Sequence, residues 1–393
     1  MPRFKTSYLL SLTITLLIVL CITSISFAGN HHPFAGTALE EISLGKISSS
    51  DMFESSFLIL YQLAEQDING EKAYRSFSKM RHIYRIHGHN KYLKNEIVSD
   101  ELRQLLTDLH AAADNPQTAK DYFYRALLDI YYTSGSIDTS PGTQKERDNM
   151  QYIIDNYPDT PYAEYALIFL ASFHETYYEF DLAIAKYNEY MTKYGPNAKL
   201  KAIVYYSFAT LYHRLYGNPD FYGDLVTDPE VKITVMIEYA NNLFTEFPDR
   251  KAMIATLSEY LAIYYKRIGD DHKALEYYKK IYEDPDPYLN YINLAVSRAR
   301  DMHMNKKEYD KVEKLFDYAQ SRYSNRASFR EMNKRSRSYL LEAKKFGYNP
   351  FEDSSKSKLI YDVKKEKIDK FRTDYETYWD ADNNLIKPLP KDE

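Results

Sequence analysis

Apolar side chains recur at intervals of three and four residues from about residue 51 onward, the spacing that puts one continuous apolar face on a helix. Ser50 and Asp51 are suitable N-cap residues for the first such helix. Phe57, Leu58, Leu60 and Tyr61, then Ala73, Phe77, Met80 and Tyr84, then Leu102, Leu105, Leu106 and Leu109 behind Ser99, predict about three helices between 51 and 115. From 117 to 323 the pattern becomes self-similar. The clearest unit, 162–196, is a pair of amphipathic helices with Ala171 and Ala183 twelve residues apart. In a second copy Ala262 and Ala274 are also twelve apart, Gly269 follows Ala262 by seven, and Tyr278 follows Ala274 by four just as Tyr187 follows Ala183. Small residues at these points let two antiparallel helices approach closely, and the tyrosines fill the space to the next pair. A third unit, 199–248, has Ala209 and Tyr212 in its first helix and is over-long because of an insertion at 216–230. A fourth, 288–323, keeps Tyr309, Phe316 and Ala319 but has Arg300 where a small residue is expected. A half-matching earlier unit follows a loop at 133–143 and ends at 157–163. Asn156-Tyr157-Pro158, Tyr194-Gly195-Pro196 and Glu246-Phe247-Pro248 place an aromatic residue and a proline where successive second helices should stop.

Leu170, Ala171, Phe180, Ala183 and Tyr187 in one unit, and Leu261, Ala262, Tyr265, Gly269, Ala274 and Tyr278 in another, resemble the tetratricopeptide repeat, a helix-turn-helix unit of about 34 residues. The resemblance implies an all-α fold, a superhelical solenoid of antiparallel helix pairs over 116–325, with a capping helix at 326–350 and a charged C-terminal helix and tail at 351–393. It implies a non-enzymatic scaffold whose concave face, lined by each pair's first helix, binds an extended partner. On that face it places Tyr165, Ile168, Ser172 and Glu175; Tyr206, Thr210, His213 and Arg214; and Glu259, Ile263, Lys266 and Arg267. His213-Arg214 and Lys266-Arg267 form two cationic steps suited to a carboxylate or an acidic segment; solvated helix ends are the plainer reading of the same residues. The Lys and Asn set of tetratricopeptide domains that clamp a C-terminal carboxylate is absent.

The N-terminus adds a compartment. Arg3 and Lys5 precede an apolar run from Tyr8 to Leu20, and Ser26-Phe27-Ala28 forms a small-x-small cleavage site, so residues 1–28 read as a signal peptide and 29–50 as a flexible lead-in. Two alternatives stay open. The 20 residues from Tyr8 to Phe27 are long enough to anchor in a bilayer if left uncleaved, and Cys21 is a lipidation candidate, although Leu20 before it does not suit that signal. Each places the rest of the chain across the membrane, in the periplasm or at the outer-membrane periphery. Together with this N-terminus the repeats resemble periplasmic tetratricopeptide-like proteins of bacterial envelopes, which implies protein-protein interaction in envelope or outer-membrane assembly.

Composition narrows the chemistry. Of 393 residues only 12 are Gly and one is Cys, which leaves no disulfide framework, thiolate metal site or cysteine nucleophile beyond Cys21. Phosphate-loop, zinc-protease and serine-elbow motifs are all missing, so no catalytic or cofactor-binding residue is assigned. Gly29-Asn30-His31, once freed by cleavage, and the trio His82, His87 and His89 are weak metal hints, and neither is assigned as a site. The 40 tyrosines suggest the chief alternative function, a polysaccharide- or peptidoglycan-binding accessory module, with one member of Tyr177-Tyr178, Tyr205-Tyr206 or Tyr264-Tyr265 facing the groove. Residues 322–372 hold 15 Lys and Arg against 7 Asp and Glu within a chain of net charge −5. An anionic surface or acidic partner suits that stretch better than nucleic acid does, given export, and a solvated helical face is the plainer reading of the same residues. Leu340, Leu341 and Phe346 give its first helix an apolar side, and Ile360, Val363, Ile368, Phe371, Tyr375 and Trp379 form a thin stripe on the next. Oligomeric state is left open.

Overall fold

A computed structural model describes residues 50–128, 131–133, 136–138, 144–217, 229–284, 289–351 and 355–389. The signal segment, Cys21, Gly29-Asn30-His31 and most of the 216–230 insertion lie outside the described residues. The fold is all-α, with one three-residue antiparallel ladder, Tyr131–Thr133 against Ser136–Asp138, at the start of the expected loop. The chain divides into two compact units, 1–253 and 254–393. Among the described residues no helix is long and apolar enough to cross a membrane.

The first unit contains α1 (Ser50–Gln66), α2 (Glu71–Ile83), α3 (His89–Leu93), α4 (Asp100–Asp114), α5 (Ala119–Leu128), α6 (Gln144–Asn156), α7 (Pro161–Thr176), α8 (Phe180–Tyr194), α9 (Lys201–Gly217) and α10 (Pro229–Glu246). The irregular N-terminal region thus holds the three expected helices plus the short α3. Ser99 caps α4, its hydroxyl accepting from the Leu102 amide at 3.2 Å, and Leu102, Leu106 and Leu109 are buried. Between α2 and α3 the helix does not stop; it widens into a π turn, Tyr84–Gly88. The second helices α6, α8 and α10 end at Asn156, Tyr194 and Glu246, where the aromatic-proline signals place their ends. Neighbours in sequence pack as antiparallel partners: α1 with α2, α7 with α8, α9 with α10. Ala171, Ala183 and Ala209 are wholly buried at these contacts, and so is Ala240.

The second unit takes in most of α11 (Lys251–Arg267), then α12 (Asp271–Tyr282), α13 (Leu289–Asn305), α14 (Tyr309–Tyr323), α15 (Ala327–Phe346) and α16 (Ser355–Glu376). Arg300 does not spoil the α13–α14 contact, because Ala295 and Ala299 supply the small buried residues. Its guanidinium lies 3.7 Å from the ring centre of Phe351 and bonds Asp301 and Ser336. α15 joins two clusters, with Leu340 and Ala343 against Met304, Val312 and Phe316 on one side, and Phe346 with Tyr348 and Ile368 on the other. α16 is docked through Ile368 and Tyr375, whereas Val363 of the expected stripe is 76% exposed.

One turn recurs in three helix pairs. Tyr178, Gly269 and Lys307 all have positive φ (61°, 83° and 56°), and Glu179, Asp270 and Glu308 follow with φ of −86°, −84° and −83°. In each pair the amide of that acidic residue bonds back five residues, to the carbonyls of His174, Tyr265 and His303, at 2.8, 2.8 and 2.9 Å. Reaching back across the last turn satisfies carbonyls that a helix end leaves free. The side chains repeat as well: Nδ1 of His174 lies 2.6 Å from Glu179 Oε2, and Nδ1 of His303 lies 2.6 Å from Glu308 Oε2.

Candidate functional site

Among the described residues, α2, α7 and α9 of the first unit, with Tyr187 of α8, line an open cavity of about 320 Å³. Its α2 wall is a helical stripe, Tyr74, Ser78, Arg81 and Arg85, at spacings of four, three and four. This stripe lies beside the apolar face of Ala73, Phe77, Met80 and Tyr84, all of which are buried. Arg85 and Ile86 belong to the π turn, in which the helical loop holds one residue more, and both line the cavity. Gly88 at the end of that turn leaves room for Phe53; a Cβ there would meet the ring at 2.3 Å.

Arginine electrostatics dominate this wall. Arg81 Nε donates to one oxygen of Glu146 and Arg85 Nη2 to the other, the latter at 2.6 Å. Glu146, in the first turn of α6, is wholly buried. Two guanidinium groups therefore share one carboxylate. Burial pushes the Arg81 pKa down and the Glu146 charge opposes that push. The Arg81 guanidinium stands 4.5 Å from the Phe173 ring centre, and its Nη2 is buried with no hydrogen-bond partner among the described residues.

The opposite wall carries its own pair. Glu175 accepts from Tyr187 Oη at 2.6 Å and from Arg214 Nη2. Burial pushes the Glu175 carboxyl up, against the lowering influence of Arg214 and Tyr187. The hydroxyls of Ser172 on this wall and of Tyr74 and Ser78 on the α2 wall make no hydrogen bond among the described residues. Thr210 bonds the carbonyl of Ser207 at 3.0 Å.

Of the twelve residues that the repeat resemblance places on the concave face, six line this cavity together: Ile168, Ser172, Glu175, Tyr206, Thr210 and Arg214. Tyr165 is not on it. That side chain is fully buried, and its hydroxyl bonds the carbonyls of Ile68 and Gly70, tying α7 to the α1–α2 connection. His213 is half-buried and outside the lining. Glu259, Ile263, Lys266 and Arg267 belong to the second unit; Glu259 and Ile263 are half-buried and Lys266 and Arg267 exposed. Burial raises the Glu259 pKa and the Arg298 charge lowers it. Of the tyrosine pairs, Tyr206 lines the cavity, Tyr205 bonds Glu246 at 3.0 Å, Tyr177 lies under Arg147, and Tyr265 stacks on Tyr277.

Four cations of the C-terminal basic stretch are paired within the second unit. Arg372 grips the wholly buried Glu342 through two bonds of 2.8 and 3.0 Å, Arg337 pairs with Asp317, Lys344 with Glu313 and Lys334 with Glu376. Lys358, Lys365, Lys367 and Lys370 of α16 remain exposed. No three His, Cys, Asp or Glu side chains among the described residues are grouped as metal ligands.

The α2 wall and Glu146 have no counterpart in the repeat pattern, since both precede the pairs with the clearest ruler. The signal that locates them is the second stripe on α2, polar and aromatic at helix spacing beside the apolar one. Compared with family models, curated proteins and solved structures, the chain matches none.

Proposed function

We propose that the protein is a non-enzymatic helical-repeat scaffold of the cell envelope, tetratricopeptide-like in its arrangement, that holds an exported partner protein through the first-unit cavity. The observation that carries this reading is the position of the cavity on α7 and α9, the first helices of successive pairs. Ser172, Glu175, Thr210 and Arg214 stand there at the places a repeat protein uses to hold an extended ligand. The histidine–glutamate pairs that recur at the turns after α7 and α13, His174 with Glu179 and His303 with Glu308, support a repeat reading. The exported segment read from Arg3 to Ala28 supports the compartment.

Replacing Ser172 with a photo-crosslinking phenylalanine analogue in the full chain, in its native cell, tests the reading. One dominant envelope protein, crosslinked from position 172 and not from the exposed Val363, is the expected result. Equal labelling from both positions removes the cavity from the scaffold's function.

A further inference from the structure

Resting on the proposed partner site, we propose that the cavity holds its partner by the main chain: an extended peptide segment lies between α2 and α7, its peptide groups bonded by the hydroxyls of Tyr74, Ser78 and Ser172, with an apolar side chain set against Ile86.

The argument is one of open hydrogen-bonding groups. Several polar side chains of the lining are already committed, for Thr210 donates to the Ser207 carbonyl, Tyr187 donates to Glu175, and Glu175 also accepts from Arg214. The hydroxyls of Tyr74, Ser78 and Ser172 line the same cavity and make no hydrogen bond among the described residues. Tyr74 is held in place by its ring, which is 2% exposed and packs on Phe169 and Tyr165 with centroids 5.0 and 6.0 Å away. Burial pushes its pKa up, so the phenol keeps its proton at neutral pH and can donate. A shielded hydroxyl without a partner costs free energy, which a ligand that supplies the missing group recovers.

The pattern fits a peptide. Each hydroxyl both donates and accepts, and each peptide group offers one N–H and one carbonyl side by side. Tyr74 and Ser78 lie one turn apart on α2, about 6 Å along its axis. Groups on one edge of an extended chain recur every second residue, about 6.6 Å apart, so a segment laid along α2 meets a hydroxyl-bearing position at each repeat. Ser172, on the facing α7, is available to the other edge. Side chains of such a segment stand away from both edges, and Ile86, 45% exposed in the lining, offers one of them an apolar contact. Three open hydroxyls on two walls beside an exposed isoleucine match the alternation of polar main chain and apolar side chain in a peptide better than the hydroxyl-rimmed ring of a saccharide. Main-chain bonding within a segment makes no demand for a chain terminus, in keeping with the missing Lys and Asn clamp.

Fluorescence-anisotropy titration of the full chain tests the proposal with a labelled, blocked heptapeptide of alternating serine and leucine. Its comparisons are the same peptide N-methylated at its leucines, which keeps every side chain and removes main-chain donors, the alternating serine-alanine peptide, and labelled chitotriose. The parent peptide should bind at least about tenfold more tightly than the methylated one, the ratio expected from one or two lost hydrogen bonds. Ser78→Ala combined with Ser172→Ala should lose about tenfold or more for the parent peptide and leave the methylated one unchanged; Ser78→Thr with Ser172→Thr, which keeps both hydroxyls, should retain the preference. Such unequal losses report coupling between hydroxyl and main chain, which a damaged fold does not produce. Ile86→Ala should reduce the preference for leucine over alanine peptide by about threefold or more. Equal binding of parent and methylated peptides, equal losses of the two in the alanine variant, the same loss in the threonine variant, an undiminished leucine preference in Ile86→Ala, or binding of chitotriose in place of the peptide overturns the proposal. Crosslinking from position 172 is independent of that result: a partner captured there while parent and methylated peptides bind alike defeats the main-chain proposal and leaves the scaffold reading standing.

Discussion

The α7–α8 and α11–α12 pairs are built to one ruler and put to different uses. Both have buried alanines twelve residues apart, Ala171 with Ala183 and Ala262 with Ala274, and both bury a tyrosine four residues later, Tyr187 and Tyr278. Both turn through a residue of positive φ followed by an acidic one. They part at the positions between these anchors. α7 presents Ser172 and Glu175 to a cavity and faces the arginines of α2, whereas α11 carries Ile263, half-buried, and Lys266, exposed, at the corresponding places. Tyr187 shows how anchor and site are coupled, since its ring packs the pair while its hydroxyl holds Glu175. The two pairs share their spacing, and among the described residues the cavity lies where α2 stands opposite α7 and α9.

The comparison can be broken most forcefully at Glu146. Glu146→Ala removes the buried carboxylate that Arg81 and Arg85 share and should cost the first unit about 3–5 kcal/mol, measured by urea unfolding with hydrogen exchange to separate the units. Exchange in α12 to α16 should stay unchanged. A smaller effect, about 1–3 kcal/mol, is expected from Ala171→Leu and from Ala262→Leu, because each forces a larger side chain between close helices. Similar losses from the two, read as shifts in the urea midpoint, sharpen the view that the ruler is structural in both pairs; a loss confined to one denies it. The turns should respond with opposite signs. Gly269→Ala places a Cβ at φ 83° and should lose about 1 kcal/mol, while Tyr178→Gly relieves a non-glycine residue at φ 61° and should gain about 0.5 kcal/mol by thermal unfolding.

The smallest expected effect is in acid. Burial pushes His89 and His110 below their usual pKa, so below about pH 6.5 the unfolded chain takes up protons that the folded chain refuses. First-unit stability should therefore be complete above that pH and decline as pH falls through 6 and 5. His110→Gln, which keeps a partner for the Tyr84 hydroxyl now 2.6 Å from His110 Nε2, should flatten the decline. In the second unit the bonds from Lys311 and His303 hold Glu308 down to about 2. Its contribution is complete above the ordinary glutamate range, shrinks as pH falls below it and is gone below about 2, so the α13–α14 turn should begin to weaken at lower pH than the first unit during acid titration followed by hydrogen exchange.

What was legible in the sequence follows from which interactions are local. Helix type, the ends at Asn156, Tyr194 and Glu246, and the buried faces of α2 and α4 depend on spacing within a few turns and could be read directly. Six cavity residues could be placed on one face because the repeat ruler carries phase from α7 to α9. Tyr165 shares that phase yet is buried, since its neighbour is the α1–α2 connection, about 95 residues earlier and outside the ruler. Arg81 and Arg85 were equally hidden as site residues: their meaning depends on Glu146, 65 and 61 residues further along. The basic count over 322–372 suggested a contact for an anionic surface or acidic partner, and it could not show that Arg372, Arg337 and Lys344 pair with Glu342, Asp317 and Glu313 while Lys365, Lys367 and Lys370 stay exposed. Composition reports how many charges a segment has and is silent on which are already matched.

The cavity also has a place in time. Its lining begins at Tyr74 and ends at Arg214, so no earlier fragment of a chain made from its N-terminus possesses it. The hairpin turns close over five residues and can lock as each pair emerges, but the arginine wall must wait for Glu146 and then for α9. Any binding that depends on this cavity is therefore withheld from the growing chain and granted only to the finished first unit.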